Sequence, residues 1–140
     1  IALTQENIDI PKVISYRSSS CSCCKKWINH LRDNGLEVVD NIVEDVSAIK
    51  IQYQIPNNLR SCHSAQIGKY TIEGHVPIES IKKLLEEKPL ISGLAVPGMP
   101  HGSPGMEIHS HESHSHDYES YEVVAFSESG KTKIFDKISP

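Results

Sequence analysis

Four cysteines, which are all the cysteines of the chain, lie in two short elements. Cys21, Cys23 and Cys24 form one element, and Cys62, followed by His63, forms the other. Three thiols within four residues cannot tie distant segments together, so the cluster does not fit a disulfide scaffold. Thiolates instead bind soft metals and exchange with disulfides. The cluster therefore indicates either a thiophilic metal site or a redox couple.

Cys21 and Cys24 have C-x-x-C spacing, which lets both sulfurs converge on one ion or join in a small-ring disulfide. We expect them at a helix N-terminus, whose partial positive charge lowers thiol pKa values. Lys25 and Lys26 add positive charge to the same turn. Cys23 is expected to point elsewhere, although either it or Cys21 could face the second cysteine element.

The donor types favour a soft metal. Thiolates and thioethers select Cu(I), whereas Zn(II) accepts cysteine and histidine. Three sulfurs come from Cys21, Cys24 and Cys62, and the candidates for a further ligand or a lid are His63, Met99 and Met106. Both methionines lie in a proline- and glycine-rich loop without helical spacing, which makes them weak candidates for the core.

A histidine tract offers a second, weaker metal site, comprising His109, His111, His114 and His116, with His101 nearby. Neutral imidazoles bind Cu(II), Ni(II) or Zn(II). The alternative is a disordered solvent loop, and ordering on metal would reconcile the two readings. Of the other histidines, His30 is expected on an exposed helix face, and His75 is expected to be a loop residue with a local hydrogen bond.

The elements that must position these residues follow from periodicity and turn signals. Ser20 is the expected cap of the first helix. The predicted strands and helices are, in order, strand 13–16, helix 23–34, strand 36–43, a helix from Asp45 or Ser47 to Tyr53, hairpin 64–67 and 70–74, helix 77–88, and hairpin 121–126 and 132–135. Residues 90–119 are predicted to be a long Pro/Gly/His-rich loop. The order predicts an α/β, thioredoxin-like fold with a central mixed sheet flanked by helices.

We expect a lead-in over residues 1–11 and one thioredoxin-like metal-binding domain over 12–136. The net charge of −4 argues against a nucleic-acid partner, and no apolar run reaches the roughly 20 residues of a membrane span. The chain begins at Ile1, which we interpret as removal of a signal peptide or as a chosen boundary.

In the thioredoxin-like plan, the loop before the first hairpin strand lies beside the cysteine pair. Here that loop is residues 60–63, and no proline occurs between Pro56 and Pro77. Redox relatives of this plan usually carry a cis-proline in the loop, which helps to bind the substrate chain and keeps metals out. A Cys-His dipeptide in the same place favours a metal.

Several motifs together resemble the domain of unknown function 411 family. They are CSCCKKW from Cys21, LRDNG from Leu31, SCHSA from Ser61, IEGHVP from Ile72, GLAVPGMP from Gly93 and GSPGME from Gly102. The resemblance covers roughly residues 12–136. It implies a small, mostly exported bacterial protein with a thioredoxin-like core that binds metal and is linked to copper resistance. Ser22 stands where the family usually has glycine, and the histidine tract looks like an insertion.

The sequence therefore predicts a periplasmic copper-binding protein, with Cu(I) favoured and Cu(II) or Zn(II) as alternatives. It is expected to be a monomer, to sequester or transfer the metal, and not to be an enzyme. A copper exporter or another periplasmic copper protein is the expected partner. The second hypothesis is a thiol-disulfide oxidoreductase. Structural disulfides, Cys21–Cys24 or Cys23–Cys62, are a further alternative that is compatible with metal binding after reduction.

Overall fold

The computed structural model describes residues 11–97 and 120–138. Three α-helices and seven strands form this part of the chain. The helices are α1 (Ser22–Asp33), α2 (Val46–Gln52) and α3 (Ile78–Glu87). The strands are β1 (Val13–Arg17), β2 (Val38–Ile42), β3 (Ser64–Ile67), β4 (Tyr70–Gly74), β5 (Gly93–Val96), β6 (Tyr121–Phe126) and β7 (Thr132–Ile138). A short 3-10 turn covers Asn57–Leu59.

All seven strands belong to one mixed sheet, in the order β2-β1-β3-β4-β5-β6-β7. β1 is parallel to β2 and antiparallel to β3, which forms a hairpin with β4. β5 is parallel to β4, and β6 and β7 follow as an antiparallel pair. The predicted mixed α/β architecture is confirmed.

The helices begin and end where local signals place them, with one exception. Cys21, and not Ser20, is the N-cap of α1, and its Sγ accepts the backbone N–H of Cys24. Gly35 has φ +88° just after the helix, a conformation that glycine adopts readily. Of the two predicted caps of α2, Asp45 and Ser47, the structure has Asp45, which accepts the N–H of Ala48. None of the described helices is long and apolar enough to cross a membrane.

β5 corrects the prediction that residues 90–119 are a loop throughout. Its residues are all buried, and Leu94 and Ala95 point to opposite faces, each into a different core cluster. Gly93 is required there because an added Cβ would lie 1.9 Å from the carbonyl oxygen of Thr71. A four-residue strand buried on both faces lacks the alternation of apolar and polar residues that predicts a strand. The proline and glycine residues that follow it predict a loop instead. Residues 98–119 lie outside the described part of the chain.

The core lies on both faces of the sheet. On one face, α1 and α3 contribute Trp27, Ile28, Leu31, Ile81 and Leu84 to a large apolar cluster. On the other face, a smaller cluster comprises Ile55, Leu59, Ala95 and Phe126. β3 and β4 run through the middle of this sandwich, so the residues at their ends are held by packing from both sides.

Candidate metal centre

The sulfur atoms of all four cysteines meet at the N-terminus of α1. Cys21 and Cys24 form a disulfide, and Cys23 and Cys62 lie outside it. Cys23 Sγ lies 3.5 Å from Cys21 Sγ. The four Sγ atoms all lie within 4.8 Å of one another. The arrangement is therefore compact enough for one ion or a small group of ions once the disulfide is reduced.

A second group shares Cys62 with two histidines. Cys62 Sγ lies 3.2 Å from His63 Nδ1 and 3.1 Å from His75 Nε2. Both imidazoles are fully buried, whereas Cys62 is half-buried. The three potential ligand atoms lie within 4.8 Å of one another. Cys62 thus connects a group of sulfurs to a pair of imidazoles.

The hairpin β3–β4 positions this second group. Its register pairs Ser64 with Glu73, and the N–H of Gly74 donates to the carbonyl of His63 at 3.0 Å. Continuing the register by two residues places Cys62 opposite His75. Gly74 has φ +78°, and a Cβ there would lie 2.6 Å from the carbonyl oxygen of Val96. Only glycine fits at position 74, where the backbone has positive φ and lies against that of Val96.

His63 is packed against the core. Its ring centroid lies 4.5 Å from that of Trp27 and 5.2 Å from that of His75. Trp27 Nε1 donates to the carbonyl of Val76 at 2.8 Å, which fixes the indole. His63 Nε2 is buried and has no hydrogen-bond partner among residues 11–97 and 120–138. A buried ring nitrogen without a partner is a candidate for a ligand atom.

Burial controls the protonation of the Cys62 thiol and the His63 imidazole. It raises the pKa of the Cys62 thiol to about 12, and the negative charge of an ionised Cys23 adds to this rise. A hydrogen bond from Ser61 opposes it. Burial lowers the pKa of His63 well below its ordinary value, with further contributions from His75 and Lys50. In the metal-free state Cys62 is therefore a neutral thiol and His63 a neutral imidazole, the form that binds metals.

The structure brings together Cys21, Cys24, Cys62 and His63, which were predicted as ligands. The expectation that Cys23 points elsewhere is wrong, because its sulfur belongs to the same group. The Cys23–Cys62 disulfide is not formed, and the Cys21–Cys24 disulfide is.

The remaining predicted ligands lie outside the described residues, and their roles stay predictions. They are Met99, Met106, His101, His109, His111, His114 and His116. His30 is half-buried and not exposed as expected, and its Nε2 accepts the N–H of Ile78.

Sequence reasoning missed His75. The sequence predicts a loop histidine with a local hydrogen bond, whereas the His75 side chain is fully buried against Cys62. The signal was available, since a hairpin closed by the two residues Gly68 and Lys69 sets the register that places position 62 opposite position 75.

A mixed α/β fold with a cysteine–histidine cluster that could hold metal defines the class of this protein. A family profile described as "Protein of unknown function, DUF411" matches residues 59–106. The chain belongs to the DUF411 family, whose profile it matches. A solved structure titled "Copper resistance protein copG- Form 2" is 38% identical to it. The match covers 93% of this chain and 99% of that chain, with a TM-score of 0.82.

A second structure, "Copper resistance protein copG- Form 1", is 37% identical. It covers 94% of this chain and 100% of its own chain, with a TM-score of 0.83. No curated protein gave a significant match. The predicted family membership is confirmed, and both similar structures are titled as copper resistance proteins.

Proposed function

We propose that this protein binds copper, as Cu(I), through its cysteine cluster, and sequesters or transfers it in the bacterial periplasm. One observation carries the proposal: four cysteine sulfurs lie within 4.8 Å of one another, and Cys62 is shared with two buried imidazoles. Donor sets rich in thiolates select Cu(I), and sulfur with imidazole also suits Zn(II). The copper-resistance titles of the similar structures support copper.

The primary ligands in this proposal are Cys21, Cys24 and Cys62. The structure adds Cys23 and His75 as candidates, since their ligand atoms lie in the same two groups as those of the predicted residues. His63, Met99 or Met106 completes or covers the site. The fit rests on donor chemistry and on the short distances from Cys62 Sγ to His63 Nδ1 and His75 Nε2.

The Cys21–Cys24 disulfide withdraws two of the four sulfurs from metal binding. We infer that the reduced protein is the form that binds Cu(I), because thiolates and not disulfide sulfurs are strong ligands. Disulfides persist in oxidising compartments, so the Cys21–Cys24 disulfide is compatible with the proposed periplasmic location.

Three finer parts of the proposal extend beyond the cluster. The β1–α1–β2 and β3–β4–α3 segments are proposed to form a thioredoxin-like framework, which the observed strand pairing of β1 with β2 and β3 supports. The tract from His109 to His116 is proposed as a weaker site for Cu(II) or Zn(II). A copper exporter or another periplasmic copper protein is the proposed partner.

Anaerobic titration of the reduced protein with Cu(I), in competition with a chelator of known affinity, tests the proposal. The wild type should compete at sub-micromolar free copper, and the Cys21→Ser/Cys24→Ser variant should not. Ser22→Ala, in the same turn and exposed, is the matched control and should behave as the wild type does. Failure of the wild type to compete, or equal affinity in the double variant, would reject the function.

The second candidate function is thiol-disulfide exchange. It is favoured by the Cys23 sulfur, which lies 3.5 Å from Cys21 Sγ of the Cys21–Cys24 disulfide. Against it, a Cys62 thiol with a pKa of about 12 has almost no thiolate at neutral pH and is a poor resolving nucleophile. Incubation of the reduced protein with an oxidised protein substrate tests whether it catalyses thiol-disulfide exchange. Turnover with a trapped mixed disulfide supports exchange, and its absence leaves copper binding as the function.

A further inference from the structure

A buried carboxylate lies directly behind the cysteine–histidine group. Glu73, in β4, is fully buried, and Lys50, from α2, reaches it with only 5% of its surface exposed. Lys50 Nζ donates to Glu73 Oε2 at 2.6 Å and to Ser64 Oγ at 3.0 Å. The Ser64 hydroxyl in turn donates to Glu73 Oε1 at 2.5 Å. The Lys50 ammonium thus has two acceptors in this group, and the Ser64 hydroxyl has one.

The same carboxylate holds the backbone of the loop that carries Cys62. Glu73 Oε2 accepts the N–H of Ser61 at 2.7 Å, and Ser61 immediately precedes Cys62. On the other side of Cys62, the carbonyl of His63 accepts the N–H of Gly74 at 3.0 Å. The cysteine is therefore fixed by one backbone hydrogen bond before it and one after it.

Stability alone gives little reason for this ion pair. Removing two charges from water is costly, and well-packed apolar residues often replace a buried pair without loss. A charged acceptor does something that an apolar side chain cannot, because it holds a backbone N–H by a strong, directional bond. Groups that orient metal ligands in this way contribute to metal affinity even though they never touch the metal.

We propose that Glu73 is a positioning residue for the metal site, which acts by binding the Ser61 N–H and so places Cys62 Sγ between the two imidazoles and the other sulfurs. Lys50 holds the carboxylate in place through the hydrogen bond from its Nζ to Glu73 Oε2. The inference rests on the proposed function in so far as the site binds Cu(I). Its geometric part, the order of the Cys62 loop, is independent of any metal.

Two neutral double variants separate positioning from charge and packing. Lys50→Met/Glu73→Gln removes both charges but keeps an amide oxygen that can accept the Ser61 N–H. Lys50→Met/Glu73→Leu removes both charges and that acceptor. Ser64→Ala, which leaves the bond to Ser61 intact, is the third comparison. All are compared at equal folded fraction, measured by circular dichroism.

We expect Lys50→Met/Glu73→Gln and Ser64→Ala to keep Cu(I) affinity within about threefold of the wild type. Lys50→Met/Glu73→Leu should lose about 10- to 100-fold, the range found when groups that orient metal ligands are removed. Equal affinity of the two double variants would overturn the inference. If the leucine variant does not fold, Glu73→Asp replaces it, since the shorter carboxylate keeps the charge but withdraws from Ser61. Wild-type affinity in Glu73→Asp would then overturn the inference.

A metal-free measurement keeps this test separate from the test of the function. Amide exchange at Ser61 and alkylation of Cys62 should both be faster in the leucine variant than in the glutamine variant. If the wild type does not bind Cu(I) but these rates differ, the copper function fails and the positioning role stands. If the wild type binds Cu(I) and neither the rates nor the affinities differ, only the positioning role fails.

Discussion

Copper binding at this site should release a proton from Cys62 over an unusually wide pH range. Burial raises the pKa of the Cys62 thiol from an ordinary value of 9.0 to about 12, so the free protein holds this proton throughout the neutral range. A metal binds the thiolate and must displace the proton. The Cu(I) affinity of the reduced protein therefore depends on pH through Cys62.

The size of the effect follows from the pKa. The rise of the Cys62 pKa from 9.0 to about 12 corresponds to about 4 kcal/mol of added free energy for ionising the thiol. Below the pKa, one displaced proton makes the affinity rise about tenfold per pH unit. For an ordinary thiol this contribution would level off near pH 9, whereas for Cys62 it should continue to pH 10 and beyond. His63 adds no opposing change above neutrality, since its lowered pKa keeps it neutral there.

The assay is anaerobic Cu(I) competition against a chelator with known proton affinities, at intervals from pH 6 to 10. The logarithm of the affinity is compared between the wild type and Cys62→Ser, because the other cysteines contribute equally to both. The wild-type slope should be steeper by about one unit across the whole range. Ser22→Ala, with the full set of thiols, should reproduce the wild-type slope. Equal slopes would refute ligation by Cys62, and a slope difference that vanishes above pH 9 would refute the raised pKa.

Four further predictions test the surroundings of the site. Burial lowers the pKa of His63, so below pH 6.5 the unfolded chain binds a proton that the folded protein does not. The free energy of unfolding should therefore decrease as the pH falls, by up to about 1.4 kcal/mol per pH unit. Urea unfolding at pH 7 and 5 measures this, and an unchanged difference in His63→Gln would contradict it. Trp27 is the single tryptophan and lies 4.5 Å from the His63 ring, so saturating copper should alter its fluorescence, and unaltered emission would exclude His63 as a ligand. With Cys21 and Cys24 in the disulfide, the oxidised protein should bind Cu(I) at least about tenfold more weakly than the reduced one. Cu(I) competition on both forms measures this, thiol titration verifies the oxidation state, and equal affinities would contradict it. Gly93→Ala should lower the free energy of unfolding by about 3 kcal/mol or more, because the added Cβ would lie 1.9 Å from the carbonyl oxygen of Thr71. Gly35→Ala, in open space at positive φ, should lower it by about 1 kcal/mol. Equal losses in urea unfolding would contradict the close approach at Gly93.

Local signals were sufficient for most of the elements. The helical spacing of Trp27, Ile28 and Leu31 predicts a helix over 23–34, and the structure has Ser22–Asp33. The Gly68-Lys69 turn predicts the hairpin that is observed. These predictions succeed because each depends on residues only a few positions apart. β5 could not be predicted in the same way, since its pairing with β4 depends on residues more than twenty positions away.

Long-range contacts explain what the sequence left open in the site. Cys23 lies two residues from Cys21, and spacing alone does not determine that its sulfur joins those of Cys62 and Cys24. The role of Glu73 depends on Lys50 crossing from α2, a contact between residues 23 positions apart. Such contacts become visible only when helix packing on the sheet is known.

Cys62 differs from the other cysteines because it is the one residue common to both ligand groups. Loss of Cys21 or Cys24 removes a sulfur from one group and leaves the imidazole pair with its thiol. Loss of Cys62 removes the sulfur that contacts His63 and His75, so the remaining three sulfurs are no longer joined to the two imidazoles. If the two groups act as one site, Cys62→Ser must impair copper binding more than substitution of any other single cysteine. The hairpin register that sets Cys62 opposite His75, and the carboxylate of Glu73 behind the loop, are therefore the features of the fold on which the proposed function most depends.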